Sequence, residues 1–339
     1  TPIVGWLREL GGPVDGFHQA MLLQAPADAT FEGLQAAVQA LLDHHDMLRA
    51  RLVRGEGVWS LEVPAPGAVR ASDVLRVAAG EDVAGEARAA RERLAPDAGV
   101  MVQVVWFEQA RRLLVMAHHL VVDGVSWRVL LPDLAQAYAG GELEPVGTSF
   151  RRWAEQLTAL DRSAELPLWT QQLTGDDPRL GVRALDPAVD TADTVRHLSL
   201  TLPSQVTGAL LTEVAAKYRA TVNDVLLTGF ALAVSRWREG AGTEVLVDLE
   251  GHGREAVVEG ADVSRTVGWF TSMFPVRLDA GTGSDLGRSL KAVKEQLHAL
   301  PDNGIGYGLL RHTGTHPEAA AALAALPAPQ IGFNYLGRF

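Results

Sequence analysis

The sequence predicts an α/β protein of two lobes, and three observations carry that prediction. Helical periodicity, with apolar residues three and four apart, alternates along the chain with short runs of strand character. Both kinds of element occur in both halves, which suits two mixed lobes. A turn-rich stretch, "TGDDPRLGVRALDPAVDTAD" at 174–193, separates them as a linker or crossover. The expected division is therefore residues 1–175 and 176–339.

The elements follow in order. "AMLLQA" (20–25) is a short apolar run ended by Pro26, a strand. "TFEGLQAAVQALLDHHDML" predicts a helix, with Phe31, Leu34, Val38, Leu41 and Leu42 on one face and Thr30 as its N-cap. "LRARLV" and "VWSLEV" flank "RGEG" as a hairpin, and "VAGEARAARERLA" is an amphipathic helix. "VMVQVVWFE" and "RRLLVMAHH" are strands joined around Gln109–Arg111. Trp127, Leu130, Leu131, Leu134 and Tyr138 mark the helix that follows, with further helices at "FRRWAEQLTAL" and "LPLWTQQL". The second half opens on a strand, "VRHLSLTLP", and two helices, "SQVTGALLTEVAAKY" and "VNDVLLTGFALAVSRW". Strands at "TEVLVDLE" and "GWFTSMFPVRL", a helix at "DLGRSLKAVKEQLHAL" and a last strand at "QIGFNYLG" complete it.

Composition narrows the function classes. A net charge of −11 lacks the basic balance of a nucleic-acid binder. No apolar run reaches the length of a membrane span and no basic-then-apolar leader opens the chain, so no membrane partner is expected. With no cysteine there are no disulfides and no thiolate metal sites, which fits a reducing cytoplasm.

Three constellations carry candidate chemistry. In "LLVMAHHLVVDGVSWRVLLPDL" (113–134), a strand ends in His118 and His119, and Asp123 and Gly124 lead into a helix. Imidazole moves protons near neutrality, and strand alternation sends the two rings to opposite faces. Asp123 is placed to cap backbone N–H groups or to pair with an arginine. Two buried, hydrogen-bonded histidines are an equally good reading of these residues alone. A metal site lacks a third ligand at a recognised spacing. "LLDHHDML" (41–48) repeats the residue types at a helix C-terminus, where the dipole favours cations, and is expected to be a solvated helix end. In "VLVDLEGHGRE" (245–255), Glu250 closes an apolar strand, and desolvation there would raise its pKa toward general acid–base use. A surface glutamate at a strand end is the plain alternative. In "FNYLGRF" (333–339), Asn334 and Tyr335 can hydrogen-bond a carbonyl or serve structure alone. No G-x-S-x-G elbow or cysteine nucleophile is present.

Together these stretches resemble the condensation-like domains of nonribosomal peptide synthetases. "HHLVVDG" (118–124) matches their H-H-x-x-x-D-G signature, which serves more than one reaction. Cyclisation domains carry aspartates in place of the histidines. "EGHGRE" (250–255), "RTVGWFTSMFPVRL" (265–278), "LPDNGIGYGLLR" (300–311) and "FNYLG" (333–337) resemble the epimerisation subtype, and "TPIVGW" (1–6) the family's opening motif. A peptide-forming condensation domain would carry an Asn-Thr-Leu-Pro-like stretch where this chain has "TSMFP".

The resemblance implies two chloramphenicol acetyltransferase-like lobes in a V shape with an active-site tunnel between them. Chains of the family continue past "FNYLG", so the second lobe is expected to be incomplete at its C-terminus. The implied reaction is L-to-D inversion at the α-carbon of an aminoacyl or peptidyl thioester, an amino-acid epimerase activity. The thioester rides on the 4'-phosphopantetheine of a peptidyl carrier protein domain, and this domain binds no cofactor or metal of its own. His119 and Glu250 are the implied catalytic pair, with His118, Asn334 and Tyr335 supporting or orienting substrate and Asp123 and Gly124 structural. Neighbouring synthetase domains are the other implied partners, and the excised domain is expected to be a cytoplasmic monomer. Two other readings share the fold, a condensation domain forming a peptide bond and a non-catalytic docking platform.

Overall fold

In the computed structural model, which describes residues 1–55, 57–238, 240 and 242–337, the chain opens with helix α1 (Pro2–Leu10) and strand β1 (His18–Gln24). Helix α2 (Phe31–His44) follows, and the Thr30 side chain accepts from the Gly33 N–H as the expected cap. Strands β2 (Arg51–Arg54) and β3 (Trp59–Glu62) form the expected antiparallel hairpin. Glu56 in its connecting loop lies outside the described residues. Strand β4 (Leu75–Val77) and helix α3 (Val83–Arg93) lead to β5 (Val102–Phe107) and β6 (Arg112–His118). Helices α4 (Ser126–Tyr138) and α5 (Phe150–Thr158) come next.

A four-stranded sheet in the order β1-β6-β5-β4 organises these elements. Pairs β1–β6 and β5–β6 are antiparallel, and the short β4 runs parallel to β5. Every residue of β5 is buried, as an unbroken apolar run between two covering layers must be. On one face Val105, Phe107, Leu114 and Met116 pack against Ala90 and Leu94 around α3. On the other, Val104, Val115 and Ala117 meet Val38, Leu41 and Leu42 of α2 and Trp127, Leu130 and Leu134 of α4. The period-2 alternation of β6 thus feeds two helical layers from one strand.

The remaining elements are helices α6 (Leu166–Leu173) and α7 (Val222–Trp237), then strands β7 (Glu244–Gly251) and β8 (Ser272–Asp279). Helices α8 (Leu286–His298), α9 (Ile305–His312) and α10 (Pro317–Ala324) precede a two-residue strand β9 (Gly332–Phe333). Strand order is β8-β7-β9, with β7 and β9 parallel. Pro275 is tolerated in β8 because that strand lies at the sheet edge. A capping box of Thr221 and Asp224 fixes the start of α7. Trp169, Leu227, Val245, Val247, Val276 and Val293 belong to one buried cluster here.

The sequence expected two contiguous halves meeting at 175/176, and the compact units are not contiguous. The first comprises Thr1–Asp161 and His252–Ser272; the second comprises Arg162–Gly251 and the chain from Met273 on. The returning segment 252–272 is bound into the first unit by named interactions. Arg254 grips Asp123 with two N–H groups, at 2.5 and 3.1 Å, and its guanidinium lies 4.0 Å over the Phe270 ring. Ser126 Oγ accepts from the Gly268 N–H at 3.2 Å, and Phe270 packs edge-on to Phe150. Gly253 has φ of 68°, and a Cβ there would run into the Phe270 carbonyl, so only glycine fits.

One expected strand is absent. Residues 195–203, "VRHLSLTLP", carry the right alternation but form no strand, and Leu198 and Leu200 are 86% and 84% exposed. Periodicity alone does not stabilise an extended segment that has no ladder partner, and no described strand lies against this one. The last expected strand shrinks to β9, which leaves Asn334 and Tyr335 just beyond it. The helical segment after 203 forms as expected, with a π-turn over Leu210–Val214.

Arg254→Met would leave a carboxylate buried without its cation. The expected cost is about 3–5 kcal/mol, read as a lowered midpoint in urea unfolding. A variant as stable as the parent would show that Asp123 does not depend on this arginine.

Candidate functional site

The first candidate group is built where β6 ends. The register of β1 against β6 pairs His18 with His118 and Gln19 with Ala117. His118 is the last residue of β6 and His119 the first of a 3₁₀ turn, so their rings leave the sheet on opposite sides. His118 is fully buried. Its Nε2 donates to the Val14 carbonyl at 2.8 Å and its Nδ1 accepts from the Leu120 N–H at 3.2 Å. Burial pushes its pKa down to about 4, so the ring is neutral and both nitrogens are occupied.

His119 is half-buried in an aromatic slot. Phe17 stacks on it at 4.7 Å and 9°, and Trp269 lies against it at 4.6 Å. Its Nε2 faces the Gln19 amide at 2.9 Å, and that amide also receives the Trp127 indole N–H at 2.8 Å. Burial lowers its pKa, which keeps the imidazole in the neutral, proton-accepting form at physiological pH. Such a ring suits general-base work.

Asp123 does not reach the ring by hydrogen bond. One of its oxygens accepts from the backbone and hydroxyl of Ser126, each at 2.8 Å, and the other from the Phe270 N–H at 3.2 Å and from Arg254. It therefore fixes the loop that carries the histidines. Gly124 is exposed, with open space where a Cβ would stand.

The second candidate group belongs to the other unit. Glu250 is the penultimate residue of β7, and the parallel register Leu249↔Phe333 brings Asn334 alongside it. Asn334 Nδ2 donates to Glu250 Oε2 at 2.7 Å. Tyr335 follows, half-buried. The Glu250 side chain is open to solvent, yet enough protein surrounds the carboxyl for desolvation to raise its pKa, against the pull of the Asn334 bond. Two residues back on the same face, Asp248 is half-buried, and burial together with the Glu250 charge raises it to about 7. The carboxyls thus form a small cluster in which not every member is ionised at neutral pH.

Sequence reading missed four of these participants. Gln19 fell one residue outside the expected first strand, and it needs register information to be seen beside His119. Phe17 and Trp269 come from distant stretches, and Asp248 passed as one more residue of a buried run. The histidine pair read as a solvated helix end also requires correction. His45 is 1% exposed, and its Nε2 meets Asp133 at 2.9 Å, while Arg265 holds the other oxygen of that carboxylate at 2.5 Å. Burial pushes His45 down to about 4. His44, His45 and Asp133 present ligand atoms within 4.8 Å of one another, but the arginine already stands as the cation of that cluster.

The family described as the condensation domain matches residues 9–338. A linear gramicidin synthase polypeptide of Brevibacillus parabrevis is 40% identical over 367 residues, covering 100% of this chain and 5% of its own length. Tyrocidine synthase 1 of the same organism is 32% identical, covering 100% of this chain and 32% of its own. The chain therefore spans only a minor part of the curated relatives it matches. Among solved structures, the epimerization domain from the third module of tyrocidine synthetase B superposes with a TM-score of 0.87 at 32% identity, covering 100% of this chain and 79% of that one. Among the described residues no helix is long and apolar enough to cross a membrane.

A folded-state pKa near 7 for Asp248 means that the folded protein holds a proton which the unfolded chain releases near pH 4. Stability is then lost as pH rises from about 4 to 7. Asp248→Asn is expected to match the parent at about pH 4 and to exceed it by on the order of 1–3 kcal/mol at about pH 8 in urea unfolding. A difference that does not change with pH would show that folding leaves the Asp248 pKa where it stands in the unfolded chain.

Proposed function

The chain belongs to the condensation-domain family, and we propose that within it this chain inverts, L to D, the α-carbon of an aminoacyl or peptidyl thioester. The thioester is delivered on the 4'-phosphopantetheine arm of a peptidyl carrier protein domain, with neighbouring synthetase domains as the other partners. The observation that carries the reading is the presence of two acid–base groups of complementary kind, a neutral His119 in an aromatic slot and an Asn334-held Glu250 of raised pKa. The likeness to an epimerization domain over the whole chain supports it.

Inversion at carbon needs a proton acceptor on one face and a proton donor on the other. One group takes the α-proton, and the C–H electron pair moves into the thioester carbonyl to give a planar enolate. The other group then returns a proton to the opposite face. His119 and Glu250 are assigned these two roles. Each contributes roughly 10²–10⁴-fold in rate. An α-proton so weakly acidic requires several further powers of ten from stabilising the enolate oxygen. Asn334 and Tyr335 are the side chains assigned to orient the substrate or that oxygen. His118, with both nitrogens occupied, holds the loop rather than the proton.

Peptide-bond formation, the other reaction of the family, is an attack by an amine and has no need of a second acid–base group such as Glu250. A docking platform needs neither residue.

The test is solvent exchange in heavy water. Carrier loaded with an L-aminoacyl or L-peptidyl thioester is incubated with the protein, and product is scored for α-deuterium and D/L ratio. Deuterium with a mixed D/L ratio is expected, reduced at least about 10²-fold in Glu250→Gln and His119→Ala. Amide product instead would identify a condensation domain. Carrier binding without exchange by the folded protein would identify a platform.

A further inference from the structure

The His119 ring is held from one side by a polar chain whose hydrogen atoms can be placed by logic. An indole N–H only donates. Trp127 Nε1 lies 2.8 Å from Gln19 Oε1, and Trp127 is 4% exposed, so the amide oxygen is fixed at that end. The ambiguity between the oxygen and nitrogen of a glutamine side chain is thereby removed. The opposite end of the Gln19 amide is its NH₂ group, and it stands 2.9 Å from His119 Nε2. Two donors do not bond each other, so Nε2 is the bare nitrogen and the proton of the neutral ring resides on Nδ1.

We propose that Gln19, itself oriented by Trp127, is a positioning residue that holds His119 as the Nδ1–H tautomer, with Nε2 as its proton-accepting atom. The strand register makes this possible. Gln19 is paired with Ala117, so His119 is its diagonal neighbour across β1 and β6, within reach of a long side chain. The ring cannot swing away, because Phe17 and Trp269 confine it. Nδ1 is buried and, among the described residues, makes no side-chain or backbone hydrogen bond of good geometry. The carbonyls of His119 and Val122 and the charge of Asp123 nevertheless act on the ring in the sense that favours its proton, against the larger effect of burial.

The arrangement has a chemical consequence. Protonating Nε2 would set an N–H against the Gln19 NH₂, donor against donor. Proton uptake therefore displaces the amide, and in its resting position the amide keeps the ring neutral. The catalytic side of this inference rests on the reading of His119 as an acid–base group, while the tautomer itself does not.

The test uses the intact chain with ¹⁵N-labelled histidine and long-range ¹H–¹⁵N correlation, His119 being assigned by its loss in His119→Ala. The parent is expected to show a bare Nε2 and a protonated Nδ1. Gln19→Glu replaces a donor by an acceptor, and should move the proton to Nε2 and raise the titration midpoint. Gln19→Met, similar in size but without a donor or an acceptor, should give a mixture of tautomers with a smaller rise. A parent that carries its proton on Nε2, or a tautomer indifferent to both substitutions, would overturn the assignment. In the exchange assay Gln19→Met should lower kcat by about tenfold or more with KM unchanged. An altered tautomer with unaltered kcat would overturn the positioning role. Because the spectrum needs no substrate, it separates failure of this inference from failure of the proposed reaction.

Discussion

The buried carboxylate of Asp123 is the point on which the first unit is assembled. It lies in the loop between β6 and α4, and it draws together that loop, the start of α4 and the returning segment 252–272. A charge so deeply placed is tolerated only because each oxygen is satisfied and a guanidinium supplies the opposite charge. Arg254 in turn is positioned by the turn at Gly253, whose shape no other residue can take. The return of the chain therefore also delivers Trp269 to its place against His119. One ion pair thus links backbone topology to the environment of a titratable ring.

The two His-His stretches show how far residue types alone can carry an argument. In both, one ring is fully buried and neutral, with a pKa near 4. They diverge in what the second element supplies. His45 is bound to a carboxylate that an arginine already neutralises, which locks it into a structural network. His119 faces an amide and aromatic surfaces, and the Asp123 charge acts on it without a hydrogen bond. Local sequence could not separate these cases, because Asp133, Arg265, Gln19 and Trp269 are each brought in by tertiary folding.

Much of the fold was legible for a related physical reason. Caps, heptad-like spacing and strand alternation are local, so α2 with Thr30, the β2–β3 hairpin and the β5–β6 pair could be read directly. What failed was what depends on a distant partner. Residues 195–203 have a strand's alternation and no strand beside them, and segment 252–272 leaves its sequence neighbours for the other unit. Glu250 and Asn334 were both visible as candidates, yet their hydrogen bond follows from the parallel register of β7 with β9, which no local pattern announces.

The displacement of the two candidate pKa values has a meaning for a reaction that inverts a centre. Burial lowers His119 and raises Glu250, so two groups that differ by about two units in water are moved toward each other. On the reading proposed above, each group is the base for one direction and the acid for the other. A large gap would make one direction easy and leave the other group unable to return its proton. A narrower gap makes it easier for one pair to work as acid and base in both directions. On that reading, the burial that penalises the charged form of either group is also what narrows the gap between them.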